Sequence, residues 1–275
     1  MSIARMARIL ILSSWVAFGH VGLCAAAPAL QALGHSVTQL PTVFLSNHPG
    51  WPNVSGRPVP PDEIRGMVNA LETNGWLDTH DALLIGYLPS PDHVVLACDL
   101  VDRMRRGPGP LRIVVDPVLG DLPDGLYLAE PVAAAVRDRL VALADVLTPN
   151  LFELGWLTGR PVRTLSEAEQ AANALRATSG AKQIFVTSPP IGDRMTGLLC
   201  IEGSGARAIP SPLRCGVPHG VGDVFSAFIA AGLAPDVALD HLTALIDASR
   251  NAPHLRIAET ASAWTRTAPF PTSEN

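Results

Sequence analysis

Arg8-Ile9-Leu10-Ile11-Leu12-Ser13-Ser14 is the stretch on which the fold turns, because it admits two readings. With Arg5 before it and Cys24-Ala25-Ala26-Ala27-Pro28 after it, the order of basic residues, apolar run and small residues imitates an export signal with its cleavage site. The apolar run, however, stops after Leu12, and beyond Ser13-Ser14 the chain is interrupted by Gly19-His20 and Gly22. A short apolar run without alternation, ended by small polar residues, is what a strand buried on both faces looks like as it enters a turn. We read it as the first strand of a parallel sheet and set export aside.

Further runs of the same kind occur at Ser36–Leu40, Ala82–Ile85, Ile113–Val115, Val146–Thr148 and Ile184–Thr187, with helix-period segments between most of them. Parallel strands need long crossovers, and these place helices on both faces of the sheet, so the class is α/β with a central, mostly parallel sheet. Helix signals agree: Pro61-Asp62-Glu63 opens a segment ending at Gly75, Ser166-Glu167-Ala168-Glu169 has the form of a capping box, and Gly180 stands where a C-terminal glycine belongs. Two regions break the rhythm. Asn47–Pro61 holds too many prolines for a regular element and reads as a surface loop or short edge-strand flap, and 189–218 reads as a hairpin with loops. No internal repeat is visible. The chain reads as one domain over 1–275, with a frayed tail from about 269.

Composition excludes several classes. A hydrophobic fraction of 48% with 16% charged residues is that of a well-buried globular chain. A formal net charge of −5 without a basic block gives no reason to expect nucleic acid or an anionic membrane as partner. Lys182 is the only lysine, which leaves almost no source for a P-loop or Schiff-base lysine. Cys24, Cys98, Cys200 and Cys215 stand far apart with no histidine at ligand spacing, so neither zinc nor a disulfide framework is indicated.

In doubly wound sheets, ligands sit beyond the carboxyl ends of the strands, which draws attention to Ser14, Pro49-Gly50, Tyr87, Asp116, Asn150 with Glu153, Thr187-Ser188 and Asp223. His219-Gly220-Val221-Gly222-Asp223 runs into the unbroken apolar segment Val224–Leu233. Gly220, Val221 and Gly222 there would present backbone N–H groups to an anion at a helix start, and Asp223 could take a proton from an attacking hydroxyl. Alone, the pattern is equally a tight turn with an aspartate offsetting the helix dipole. Asp116 follows a strand and could act on Mg²⁺ or water beside phosphate; alone it is equally a turn cap. Asn150 and Glu153, three apart after Thr148-Pro149, could orient metal-bound water, or form an N-cap with its capping-box partner.

Five blocks in order resemble the pyridoxal kinase branch of the ribokinase-like superfamily. They are Ile9–Gly22, Phe44-Leu45-Ser46-Asn47-His48, Gly86-Tyr87-Leu88, Asp116-Pro117-Val118-Leu119-Gly120 with Thr148-Pro149-Asn150-x-x-Glu153, and Gly220-Val221-Gly222-Asp223. The last two are shared with hydroxymethylpyrimidine kinases; the first two point to pyridoxal. The resemblance implies a ribokinase-like fold with a small flap over the site and ATP-dependent phosphorylation of the hydroxymethyl group of pyridoxal and other B6 vitamers. It implies Asp223 as base with Gly220, Val221 and Gly222 as anion hole, and substrate contacts from Ser14, Val43, Pro49, Gly50, Tyr87 and Asp223. It implies ATP contacts from Asp116, Thr148, Asn150, Glu153, Thr187 and Ser188, Mg²⁺ on Asp116 and Glu153, room for a monovalent cation, a homodimer and a cytoplasmic location.

The chain departs from the family at the acceptor end: Trp15 where a histidine is usual, Leu23 for asparagine, Phe44 for glutamine and Pro49 for threonine. The alternatives are therefore a kinase for a hydroxymethylpyrimidine or related ring alcohol, and a non-catalytic binder of a B6 vitamer.

Overall fold

The computed structural model describes residues 6–203 and 205–266. Among these, the main sheet is built from nine strands: β1 (Arg8–Val16), β2 (Ser36–Leu45), β3 (Gly56–Pro58), β4 (Ala82–Ile85), β5 (Arg112–Val115), β8 (Val146–Leu147), β9 (Gln183–Thr187), β10 (Met195–Glu202) and β11 (Gly205–Pro212). A small hairpin pairs β6 (Gly120–Asp121) with β7 (Gly125–Leu126). The order across the main sheet is β11-β10-β9-β8-β5-β4-β1-β2-β3. The six strands from β9 to β2 run parallel, and β3, β10 and β11 join antiparallel at the two edges. This is the α/β class with a central, mostly parallel sheet expected from the alternation of runs.

The lack of alternation within the strands comes from burial on both faces. Leu10 and Leu12 pack on one side with Ile64 and Val68 of α2 (Pro61–Thr73), Val94 and Leu100 of α3 (Pro91–Met104), Val132 of α4 (Glu130–Ala135), Leu154 of α5 (Leu151–Thr158) and Ala168 of α6 (Leu165–Ser179). Ile9 and Ile11 point the other way, onto Leu23 of α1 (Leu23–Ala32), Phe225 and Phe228 of α7 (Val221–Ala230), Leu245 of α8 (Pro235–Ser249) and Trp264 of α9 (Ala261–Trp264). A pleat sends successive side chains to opposite faces, so each strand feeds two cores. Among the described residues no helix is long and apolar enough to cross a membrane.

Three boundaries differ from the sequence reading. Strand β1 continues through Ser13-Ser14 to Val16, and β2 continues past Leu40 to Leu45, with Ser14 facing both Thr42 and Val43 where the register shifts. Pro41 is tolerated because β3 pairs with β2 only over Val43–Leu45, so on that side Pro41 has no partner strand asking for its missing N–H. The capping box of α6 is Thr164 with Glu167, not Ser166 with Glu169: Thr164 has the extended backbone an N-cap needs (φ −121°), whereas Ser166 already lies inside the helix. The segment over 189–218 does form the β10–β11 hairpin, while the expected frayed tail lies outside the described residues.

Candidate active site

Strand order changes direction at β1: β2 lies on one side of it, and β4, β5, β8 and β9 come in turn on the other. The carboxyl ends of β1 and β4 therefore flank the crevice where ligands settle in open α/β sheets. Over that edge stands the N-terminus of α7. Its N-cap, Gly220, has φ 96°, and a Cβ there would lie 1.9 Å from the His20 carbonyl oxygen, so only glycine can make the turn. The first N–H groups of an α-helix lack intrahelical partners, and those of this turn meet the positive end of the helix dipole.

Asp223, in the first turn, is partly exposed and receives the Gly22 N–H and its own backbone N–H. Removal from water pushes its pKa up to about 6, against the pull of those two bonds. A small cavity of about 10 Å³ lies between Asp223, Asp116, Ser13, Gly22, Gly86 and Ser226.

Asp116 follows β5, and the Cβ position of Gly222 is 4.0 Å from its Oδ2, which puts this carboxylate beside the Gly220–Gly222 turn. Ser226, one turn after Asp223 on α7, donates to Asp116 Oδ2 at 2.9 Å. With that proton spent, Thr148 Oγ1 is left to donate to Ser226 Oγ at 2.8 Å, so Thr148 is a buried brace under the cleft. Burial first, and the Asp223 charge second, raise the Asp116 pKa to about 7. Glu153 is also buried and raised well above the ordinary carboxylate range, again by burial and then by Asp116. Its oxygens accept from Leu119 N–H at 3.0 Å and Asn150 N–H at 2.8 Å, and also from Gly120 N–H. Asn150 Oδ1 in turn accepts the Glu153 N–H at 2.9 Å, and Asn150 Nδ2 donates to Gly120 O at 2.8 Å. Asn150 and Glu153 thus form the capping box that starts α5 and ties it to β6.

The remaining residues fall into line along the same edge. Toward β9, Thr187 donates its N–H to Pro149 O at 2.9 Å, and exposed Ser188 holds a left-handed backbone, φ 55°. Toward β2, Tyr87 after β4 is pinned by its N–H to Ser13 Oγ at 3.2 Å and by Thr42 Oγ1 to its carbonyl at 2.7 Å. Ser14 lies at the register shift between the Ser13–Pro41 and Trp15–Phe44 pairs. Beyond it the β2–β3 connection forms the flap, folded on itself by Ser55 N–H to Ser46 Oγ (2.9 Å) and Asn47 Nδ2 to Asn53 O (3.0 Å). From β9 to β2 is five strand spacings, roughly 24 Å, ample for a nucleotide and a small acceptor end to end.

Comparison with known proteins places this geometry. A family model described as phosphomethylpyrimidine kinase matches residues 45–250. The chain is 37% identical over 235 residues to a pyridoxine/pyridoxal/pyridoxamine kinase of Bordetella avium, covering 84% of this chain and 79% of that one. It belongs to the pyridoxal kinase family. Among solved structures, the pyridoxal kinase of Entamoeba histolytica superposes with a TM-score of 0.85 at 27% identity, covering 94% of this chain and 95% of that one. A Leishmania donovani pyridoxal kinase in complex with ADP and pyridoxine gives 0.84 at 29%, with 93% and 94% covered. The chain is accordingly a kinase of ribokinase-like fold.

The structure brings Asp223, the Gly220–Gly222 turn, Asp116 and Glu153 together at the centre, with Ser14, Val43, Tyr87 and the flap on one side and Thr187 and Ser188 on the other. Sequence reasoning missed Ser13, Thr42, Ser226 and His219. Ser226 carried a signal, its place three residues after Asp223 on one helix face. His219 carried none, because its partner is His48 in the flap.

Proposed function

We propose that this kinase transfers the γ-phosphoryl group of ATP to the hydroxymethyl group of pyridoxal and other B6 vitamers. The observation that carries this reading is the pairing at the start of α7: a carboxylate of raised pKa, Asp223, next to backbone N–H donors of Gly220–Gly222, at the junction of an acceptor wall and a nucleotide side. The acceptor O–H gives its proton to Asp223 as its oxygen bonds to the γ-phosphorus and the bond to the β-γ bridging oxygen breaks. A base with a pKa near 6 is ionised at neutral pH yet still basic enough to share that proton. The turn N–H groups face the charge that gathers on the equatorial oxygens, where preorganised donors act most strongly. Ser14, Val43, Pro49, Gly50 and Tyr87 line the acceptor side; Thr187 and Ser188 approach the nucleotide.

Mg²⁺ fits the donor chemistry. Asp116 is raised by burial and by the Asp223 charge, Glu153 by burial and by the Asp116 charge, and a cation relieves both effects. Among the described residues no three His, Cys, Asp or Glu side chains form a ready cage. That suits a cation completed by phosphate oxygens, the usual mode for Mg²⁺. Asp116 beside Gly222 is the better placed ligand; Glu153, with its oxygens on main-chain N–H groups, acts from behind it. Bound there, Mg²⁺ spreads the charge of the transferring group. A monovalent cation, a homodimer and a cytoplasmic location complete the reading.

A second reading, phosphorylation of a hydroxymethylpyrimidine, is favoured by the family model that matches 45–250. An acceptor panel with Mg-ATP separates the two. Higher kcat/KM on pyridoxal, pyridoxine or pyridoxamine supports the first reading, and activity on the pyrimidine but not on pyridoxal reverses it.

A further inference from the structure

The flap touches the body of the molecule at a place the phosphoryl chemistry does not use. His48 at the flap tip and His219, the residue before Gly220, stack with ring centroids 4.0 Å apart and planes at 21°. The Cβ position of Gly50 would lie 3.0 Å from His48 Nδ1 and 3.4 Å from His219 Nε2, so the tip is seated against both rings.

From Pro49 to Trp51 the main chain has no N–H to spare. Pro49 has no N–H. The Gly50 N–H goes to His48 Nδ1 at 3.0 Å, and the Trp51 N–H to the His48 carbonyl at 3.2 Å. Because Nδ1 accepts, the neutral His48 ring carries its proton on Nε2. Burial and the neighbouring His219 keep it neutral, with a pKa pushed down to about 4. His219 differs: it is exposed, and among the described residues its ring nitrogens make no hydrogen bond, so the stack fixes its plane and leaves its N–H free. It is also joined to Asp223 through the three-residue turn Gly220–Gly222.

We infer that His219 is a specificity-determining residue for the acceptor: held by its stack on His48, it donates its own free N–H to the ring hydroxyl oxygen of a B6 vitamer. The inference rests on the B6 reading above. A donor at that position favours a ring that carries an acceptor oxygen there over the same ring without it.

The test is a cycle of enzyme and acceptor changes. Wild type and His219→Phe are each assayed with pyridoxine and with an analogue lacking the ring hydroxyl; phenylalanine keeps the stack and removes the N–H. With pyridoxine, His219→Phe should raise KM about 2- to 10-fold, the worth of one neutral hydrogen bond, with the effect in KM rather than kcat. With the analogue the same substitution should add nothing, because the partner oxygen is already gone. An equal rise with both acceptors, or none with pyridoxine, overturns the assignment. If phenylalanine disturbs the turn, as a lowered melting midpoint would show, His219→Ala through the same cycle has the same two outcomes. Turnover of pyridoxine by wild type with an additive cycle removes this inference alone. Failure of wild type to phosphorylate any B6 vitamer removes the B6 reading and this inference with it.

Discussion

The two ends of the cleft hold their residues by different means. At the proposed phosphoryl end Asp116, Glu153, Thr148 and Ser226 are buried and bonded to one another or to main-chain N–H groups, and the turn above them admits no side chain at Gly220. At the acceptor end, Trp15 and Phe44 meet edge to face at 5.6 Å yet remain 37% and 38% exposed, and the flap is stitched mainly to itself. Buried polar groups are costly to leave unpaired, so one end is fixed as a unit; exposed contacts are each worth little and can be exchanged singly. On the proposed function, the phosphoryl end is therefore rigid and the acceptor end adjustable, which gives an order of expected effects.

The largest belongs to Asp223→Asn, which keeps shape and removes the base. Turnover should fall about 10²- to 10⁴-fold while ligand binding persists. In wild type, kcat/KM should fall about tenfold per pH unit below about 6, where Asp223 takes up its proton; the Asn variant should lack that limb. Steady-state kinetics across pH reads both. Next comes Gly220→Ala, whose methyl group would meet the His20 carbonyl and whose φ of 96° suits glycine. Displacing the turn N–H groups should cost about 10²-fold in kcat, below the loss for a whole donor at worst. Near wild-type rates in either variant would break the contrast between the two ends.

Much of the fixed end could be read from residue order, and its braces could not. The runs Ile9–Leu12 and Ile113–Val115 announced themselves because strands covered on both faces show no polar alternation. Asp116 stood out by lying just after such a run, and Asp223 by following Gly220-Val221-Gly222 at the head of an apolar segment. The hydroxyls of Ser13, Thr42 and Ser226 bond to residues brought near only by the sheet, Ser13 and Thr42 to Tyr87 and Ser226 to Asp116, and no local pattern encodes that. For the same reason the extensions of β1 and β2 were hidden: polar Ser13-Ser14 and Pro41 look like strand ends until the neighbouring strands are in place. At the acceptor end, departures such as Pro49 were visible, but the stack of His48 on His219 was not.

A smaller effect sharpens the view of the fixed end as a unit under electrostatic load. Asp116 has a folded pKa near 7 against an ordinary 3.8, so wild-type stability declines as pH rises through that window, the native state giving up its proton at a cost the unfolded chain does not meet. Asp116→Asn, assayed without divalent cation, should therefore raise the melting midpoint by roughly 2–4 °C at pH 8 and bring no gain below about pH 4. Calorimetry showing a lower midpoint at pH 8 would mean that the carboxylate's bond from Ser226 outweighs its burial and the repulsion from Asp223. Smallest is Pro49→Thr, which returns a hydroxyl to the flap and should lower KM for pyridoxal about 2- to 10-fold with little change in kcat. An unchanged KM, with another ring alcohol the better substrate, would show that this end was shaped for that alcohol.

The most direct measurement is the product itself. Purified protein is incubated with Mg-ATP and pyridoxal, pyridoxine or pyridoxamine, and the phosphorylated vitamer and ADP are quantified together by mass spectrometry. The account predicts phosphorylated vitamer and ADP in equal amounts, with both lost in Asp223→Asn. Binding of the vitamers without any phosphorylated product in wild type would contradict it and leave a protein that holds the vitamin without acting on it.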